Sequence, residues 1–190
     1  MNQELPLTME QSSPAHARSR TQAFVEYIAR RCESDNGVRA SLRRADNPST
    51  EYQSWEILAG FGIDLESESE RLSHMIIAAD IARTKSAGNG SIGLGRAIAH
   101  CYKDGNRDDQ AKAKLRRVLA CDSLNEAVLI LRPIFRLIES RGAGPLDYAS
   151  ILKELRWFDH DDSRNRTKVH WAQDFFGKVK GREREDHDER

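Results

Sequence analysis

Proline, cysteine and aromatic residues are scarce in this 190-residue chain, and net charge is absent. Each scarcity excludes something. Five prolines leave long stretches free to form uninterrupted helix. The three cysteines, Cys32, Cys101 and Cys121, are odd in number, widely spaced and without a CxxC pair. That pattern indicates neither a zinc knuckle nor a disulfide framework. They read as small helix residues, partly buried. No stretch approaches the ~20 apolar residues of a bilayer crossing. The N-terminus lacks the basic start and apolar run of a secretory signal, so residence in the cytoplasm is expected. No sustained alternation of β-branched residues marks a strand.

What is present is helical periodicity. Apolar residues recur at three and four in nine segments. Phe24, Val25 and Ile28 mark the first, and Val38, Leu42 and Ala45 the second. Trp55 and Leu58 mark a third, stopped by Gly60 and Gly62. Leu72 to Ala82 form a long fourth. Ile92, Leu94 and Ile98 mark a fifth, and Leu115, Val118 and Leu119 a sixth. Leu124 to Ile138 form a seventh that contains Pro133, where a kink is expected. Leu152 and Leu155 mark an eighth with Asp147 as N-cap, and Val169, Ala172 and Phe176 a ninth. The fold class predicted is all-α, in two small helical-bundle units. The division is a disordered extension over 1–18, an N-terminal unit over 19–105, a C-terminal unit over 106–180, and a charged disordered tail over 181–190. The hinge between the units falls at Lys103–Asp109.

A zero total argues by itself against nucleic-acid binding. The distribution of charge changes that argument. Residues 182–190 hold three basic and five acidic residues, and residues 64–70 hold four acids. Stretches 37–45 and 110–121 contain basic residues and no acid at all. At ~100° per residue, Val38, Leu42 and Ala45 share one side of the second helix. Arg39, Arg43 and Arg44 take the remaining arc. In the sixth helix Lys112, Lys114, Arg116 and Arg117 lie opposite the apolar side. Of the 30 basic residues, 22 are arginine. The planar guanidinium fork suits phosphate oxygens. The competing interpretation is a solvated face. Trp55, Trp157 and Trp171 adjoin apolar helical positions and are expected in the core. Without an exposed stacking platform, binding is expected to follow the nucleic-acid backbone and ignore sequence.

Catalytic patterns are weaker. No two histidines sit at i,i+4 around a carboxylate, so the zincin pattern is absent. His160-Asp161 is an HD dipeptide, but His74, Asp80 and His100 are far-fetched as its further ligands. It reads as a polar loop. Gly88-Asn89-Gly90-Ser91-Ile92-Gly93 fits G-x-G-x-x-G, yet a helix precedes it rather than the strand a dinucleotide site needs. Its glycines are expected to permit close packing. A second possibility is that free amides at the following helix start, with Arg96 one turn in, meet a phosphate. No metal or cofactor is implied.

Five stretches together resemble the CasB family, the small subunit of the type I-E CRISPR surveillance complex Cascade. They are Gly37–Ala45, Trp55–Gly62, Gly93–Ala99, Leu115–Asp122, and a C-terminal series. That series comprises Leu146-Asp147-Tyr148, Leu155-Arg156-Trp157 and Trp171–Phe176. The resemblance covers about residues 20–178. It implies a helical protein of two small units without enzymatic activity. Two copies would sit beside the guide RNA among the other Cascade subunits and hold the RNA–target duplex and the displaced DNA strand. It carries phosphate contact onto Arg39, Arg43, Arg44, Arg96, Arg116 and Arg117, and more weakly onto Arg164, Arg166 and Lys168. The alternatives are a helical scaffold without nucleic-acid contact and, more remotely, a metal-dependent hydrolase.

Overall fold

Short polar side chains decide where the helices begin. Ser19 and Gln22 form a capping box at the first helix. Asp35 accepts from the Gly37 and Val38 amides at the second. Ser67, Asp108, Ser123 and Asp147 cap four later helices in the same way. Such caps each stabilise a helix start by about 1 kcal/mol. The computed structural model describes residues 19–177. The expected disordered segments, 1–18 and 181–190, lie outside the described residues.

The described chain is all-α. Its helices are α1 (Arg20–Ser34), α2 (Asn36–Leu42), α3 (Trp55–Gly60), α4 (Glu68–Thr84) and α5 (Leu94–His100). Then follow α6 (Asp109–Leu119), α7 (Leu124–Arg141), α8 (Tyr148–Arg156) and α9 (Asp161–Phe176). Short 3-10 turns span Glu51–Ser54 and Gly105–Arg107. All nine periodic segments are therefore helices. The second ends at Leu42, earlier than the expected Ala45, and residues 43–46 form turns.

Helix α4 is the axis. Every residue from Leu72 to Ala82 is buried, as befits a helix apolar on most sides. It packs on α1, α2, α7 and α8. Each leucine, isoleucine or methionine side chain so enclosed contributes ~1.5–3 kcal/mol relative to exposure. The packing does not follow chain order. Helix α5 packs most extensively on α9, while α8 packs on α1 and α4. Contacts thus cross residue 105 in both directions, and one contiguous core runs from Phe24 to Phe175.

Glycine permits the α5–α9 seam. A Cβ at Gly95 would collide with the Trp171 carbonyl and the Phe175 amide. The Gly88–Gly93 loop is tied down as well. Asn89 donates to the Asp147 carboxylate at 2.8 Å and accepts from the Ala149 amide at 2.8 Å. An isolated parallel bridge joins Ile92 to Leu146. The loop fastens α8, and Gly90 and Gly93 serve packing, against Pro145 and Asp174, while Gly88 faces open space.

Two expectations from periodicity fail. On α9 the buried stripe is Thr167, Trp171 and Phe175, whereas Val169 and Phe176 are exposed. Two phenylalanines in a row and a polar threonine within the inner stripe hid the phase. Trp171 is in the core as expected, but Trp55 and Trp157 are 40% and 51% exposed. They stand at the start of α3 and just past the end of α8, where the chain turns away from the core.

Candidate nucleic-acid interface

Arginine in this protein occurs in two electrostatic settings. The first is paired and partly buried. Arg83 on α4 lies 2.8 Å from Asp46 and 2.9 Å from Asp80. Arg136 on α7, itself exposed, approaches the buried Asp46 at 3.5 Å. The Tyr148 hydroxyl donates to Asp80 at 3.0 Å. Burial pushes the Asp80 carboxyl up to about 6, against the pull of Arg83 and the Tyr148 hydrogen bond. The same Tyr148 hydroxyl is driven upward by its own burial. Arg156 pairs with Glu70 on α4, one turn before buried His74. Burial lowers the His74 imidazole to about 4. These groups hold α2, α4, α7 and α8 together.

The second setting is open. Arg43 and Arg44 are exposed in the turn after α2, and Arg116 and Arg117 are exposed near the end of α6. None of the four side chains makes a hydrogen bond or ion pair among the described residues. The turn holding Arg44 is ordered by the Thr50 hydroxyl, which donates to the Arg44 carbonyl at 2.7 Å. Apolar burial fixes the facing of both pairs, since Leu42 and Ala45, and Leu115 and Val118, are inside. The acids near α6 are held at its ends. Asp108 caps the start. Asp122 is bound by Lys168 at 3.2 Å, and Glu126 accepts from the Asp122 amide at 2.9 Å. Position in the last turn also lets Arg116 and Arg117 complement the α6 carbonyl end.

The remaining candidates are partly committed. Arg39 is half-buried and donates to Asn36 at 2.7 Å. Arg96 is 48% exposed by side chain and pairs with Asp174 at 3.2 Å. The same carboxylate accepts from the Arg96 amide at 2.8 Å. Asp174 of α9 therefore occupies the helix start where a phosphate was one expectation. Arg164 pairs with Asp161 at 2.7 Å. Arg166 is exposed, its Nε donating to the Asp162 carbonyl at 3.2 Å. Helix α2 packs on α1 and α4, and α6 on α5, α7 and α9. The two open arginine pairs thus stand on different parts of the molecule, while Arg166 and Lys168 belong to the helix beside α6.

Sequence reasoning missed Arg107 and Arg141, both exposed. Arg141 ends α7, and its field reaches Cys101 and Tyr102 on the α5–α6 connection that carries Arg107. Only the fold brings the end of α7 beside the start of that connection. His74 and Asp80 are buried on α4, and His160 stands at the start of α9. No group of three or more metal-binding side chains is assembled among the described residues. No helix among them is long and apolar enough to cross a membrane.

The sequence model of the family described as "CRISPR-associated protein Cse2" matches residues 38–176. The chain belongs to the Cse2 family. The matched span includes both open arginine pairs. The fold is similar to that of a Cse2-family CRISPR-associated protein from Thermus thermophilus, with a TM-score of 0.68 at 20% identity. That likeness covers 85% of this chain and all 100% of the other. A CasB from M. ruber gives a TM-score of 0.67 at 26% identity over 83% of this chain and 93% of its own. A CasB from Thermobifida fusca gives 0.58 at 16% identity over 84% and 99%. A sequence comparison with curated proteins finds no match. Cse2 membership accounts for the order of the five stretches that resemble CasB.

Proposed function

We propose that this chain is a non-catalytic, nucleic-acid-binding small subunit of a type I-E Cascade complex in the cytoplasm. It stabilises the guide RNA–target DNA duplex and the displaced strand through contacts to backbone phosphates. The observation that carries this reading is the set of four exposed arginines, Arg43, Arg44, Arg116 and Arg117, without carboxylate partners among the described residues. Membership of the Cse2 family supports the setting. Its partners are the guide RNA, both DNA strands, the other Cascade subunits and a second copy of itself.

The mechanism is electrostatic. In guide-directed recognition, base pairing reads the sequence and the protein reads the backbone. Exchanging a DNA duplex for an RNA–DNA duplex is close to energetic balance, so added phosphate contacts tip it. A net charge of zero suits a subunit that binds weakly alone and acts once docked among partners. Affinity for nucleic acid is expected to fall steeply as salt rises, on a log–log line whose slope reports the number of contacts. Strands of equal length and different duplex sequence should bind alike. A flat salt response, or a strong preference for one duplex sequence, contradicts the proposal. The alternative of a scaffold without nucleic-acid contact is favoured by the exposed Tyr52 and Trp55. Aromatic residues of this kind are enriched in protein interfaces.

A further inference from the structure

Helices α8 and α9 form a hairpin, and a groove of about 440 Å³ lies between them. Lys153 and Trp157 line one side, and Ser163, Arg166 and His170 the other. Trp157 is 51% exposed although it is the largest side-chain type. Its ring lies 5.4 Å from that of His160, tilted by 40°. The neighbouring Trp171 is buried and stacks on Phe158 at 5.7 Å. One tryptophan of the hairpin therefore builds the core, and the other faces the groove.

The charges in the groove are unequal. Lys153 is exposed and its ammonium meets no hydrogen-bond or ion-pair partner among the described residues. Arg166 uses only its Nε, toward its own helix. The acid in the lining is Glu154, and it is already engaged. Glu154 accepts from the Trp171 indole at 2.7 Å and pairs with His170. The nearby Asp147 carboxylate is taken by Asn89 and Ser150. Two cations without carboxylate partners among the described residues thus flank an open indole face, in a cavity within the ~300–1,000 Å³ that small ligands occupy.

We infer that the α8–α9 groove is a site for one unpaired nucleotide, its base stacked on Trp157 and its flanking phosphates held by Lys153 and Arg166. This rests on the nucleic-acid reading above and specifies which part of the nucleic acid this face takes. Duplex DNA buries its base faces and offers nothing to an indole. A single strand exposes them, and an aromatic platform beside basic residues accepts any base. A protein partner is the competing occupant, since tryptophan and arginine also anchor protein interfaces. The concave shape and the paired cations favour the nucleotide.

The test uses the full chain carrying Trp55→Phe, so that Trp157 is its remaining exposed tryptophan among the described residues. At low salt it is titrated with oligothymidine and with an abasic sugar–phosphate strand of equal length. Oligothymidine is expected to quench the emission and bind about tenfold or more tighter than the abasic strand. Trp157→Ala should reduce oligothymidine binding to the abasic level, with Trp157→Phe restoring much of it. Lys153→Glu with Arg166→Glu should weaken both ligands. Circular dichroism verifies that each variant keeps the parent's helix content. If both strands bind equally and Trp157→Ala changes neither, the stacking site is wrong while phosphate binding stands. If neither strand binds, the nucleic-acid reading fails with it. If Trp157→Ala abolishes assembly with Cascade partners yet leaves oligothymidine binding intact, the groove docks protein and the inference is overturned.

Discussion

Arg83 on α4 and Arg117 on α6 carry the same group into opposite surroundings. Arg83 sits between Asp46 and Asp80, its side chain 13% exposed. Arg117 is exposed, with Arg116 beside it and the nearby Asp122 and Glu126 engaged elsewhere. The first arrangement stabilises because removing one partner would strand a buried charge. The second contributes little to folding, since an exposed cation keeps its hydration. The contrast separates arginines that build the protein from arginines available to a ligand. Arg96 lies between the two classes, paired with Asp174 yet 48% exposed.

Four sets of variants sharpen or break that contrast, ordered here by their expected effect on stability. Arg83→Met leaves Asp80 without its cation and removes one of the two cations beside Asp46. It should lower unfolding free energy by about 3–5 kcal/mol, measured by urea denaturation. A loss under 1 kcal/mol would place Arg83 with the surface arginines. Gly95→Ala comes next. In an open helix this change stabilises by about 0.5–1 kcal/mol. Against the Trp171 carbonyl and the Phe175 amide it should instead cost about 1–3 kcal/mol. A stabilised variant would show that the α5–α9 seam is looser than described.

The pH response comes third, because two buried groups oppose each other. Asp80 is raised from 3.8 to about 6, so the native state holds its proton longer than the unfolded chain. Its contribution to stability is present below pH 3.8 and is lost as pH rises through about 6. His74 is lowered from 6.5 to about 4, so its contribution is present above 6.5 and is lost as pH falls through about 4. Between pH 4 and 6 the two nearly offset in the parent. Relative to the parent, Asp80→Asn should therefore gain stability as pH rises across that window, and His74→Gln should lose it. Parallel profiles for all three proteins would contradict the burial assignments. The smallest effect belongs to Arg43→Glu with Arg44→Glu, and to Arg116→Glu with Arg117→Glu. The Arg43/Arg44 change should alter stability by no more than ~0.5 kcal/mol, and the Arg116/Arg117 change by about 1 kcal/mol, because it also sets two acids against the α6 carbonyl end.

Helices were legible because their cores follow a three-and-four repeat and their ends carry side-chain caps. Asp147 was readable as an N-cap, and the structure has it accepting from the Ser150 amide at 3.1 Å. The α9 face was misread because Thr167 is an inner residue while Val169 and Phe176 point outward. Tertiary packing against Gly95 selects that face, and no local pattern encodes it. The exposed arginines were legible from their acid-free stretches. Which arginines are neutralised was not, since Asp46 meets Arg83 37 residues away and Asp174 meets the Arg96 amide 78 residues away. Trp157 adjoins apolar positions in sequence, but α8 ends before it and leaves its ring outside the core.

The central claim is that the open arginines hold phosphate. It is tested most directly by Cascade complexes rebuilt with Arg43→Glu/Arg44→Glu or Arg116→Glu/Arg117→Glu and assayed for target DNA affinity. Each lost charge-assisted contact is worth about 1.5–3 kcal/mol. Both complexes should assemble and bind relaxed target DNA at least about tenfold more weakly. The defect should shrink on negatively supercoiled DNA, which supplies part of the missing drive for strand opening. Complexes that assemble and bind relaxed target like the parent would show that these arginines are only a solvated face.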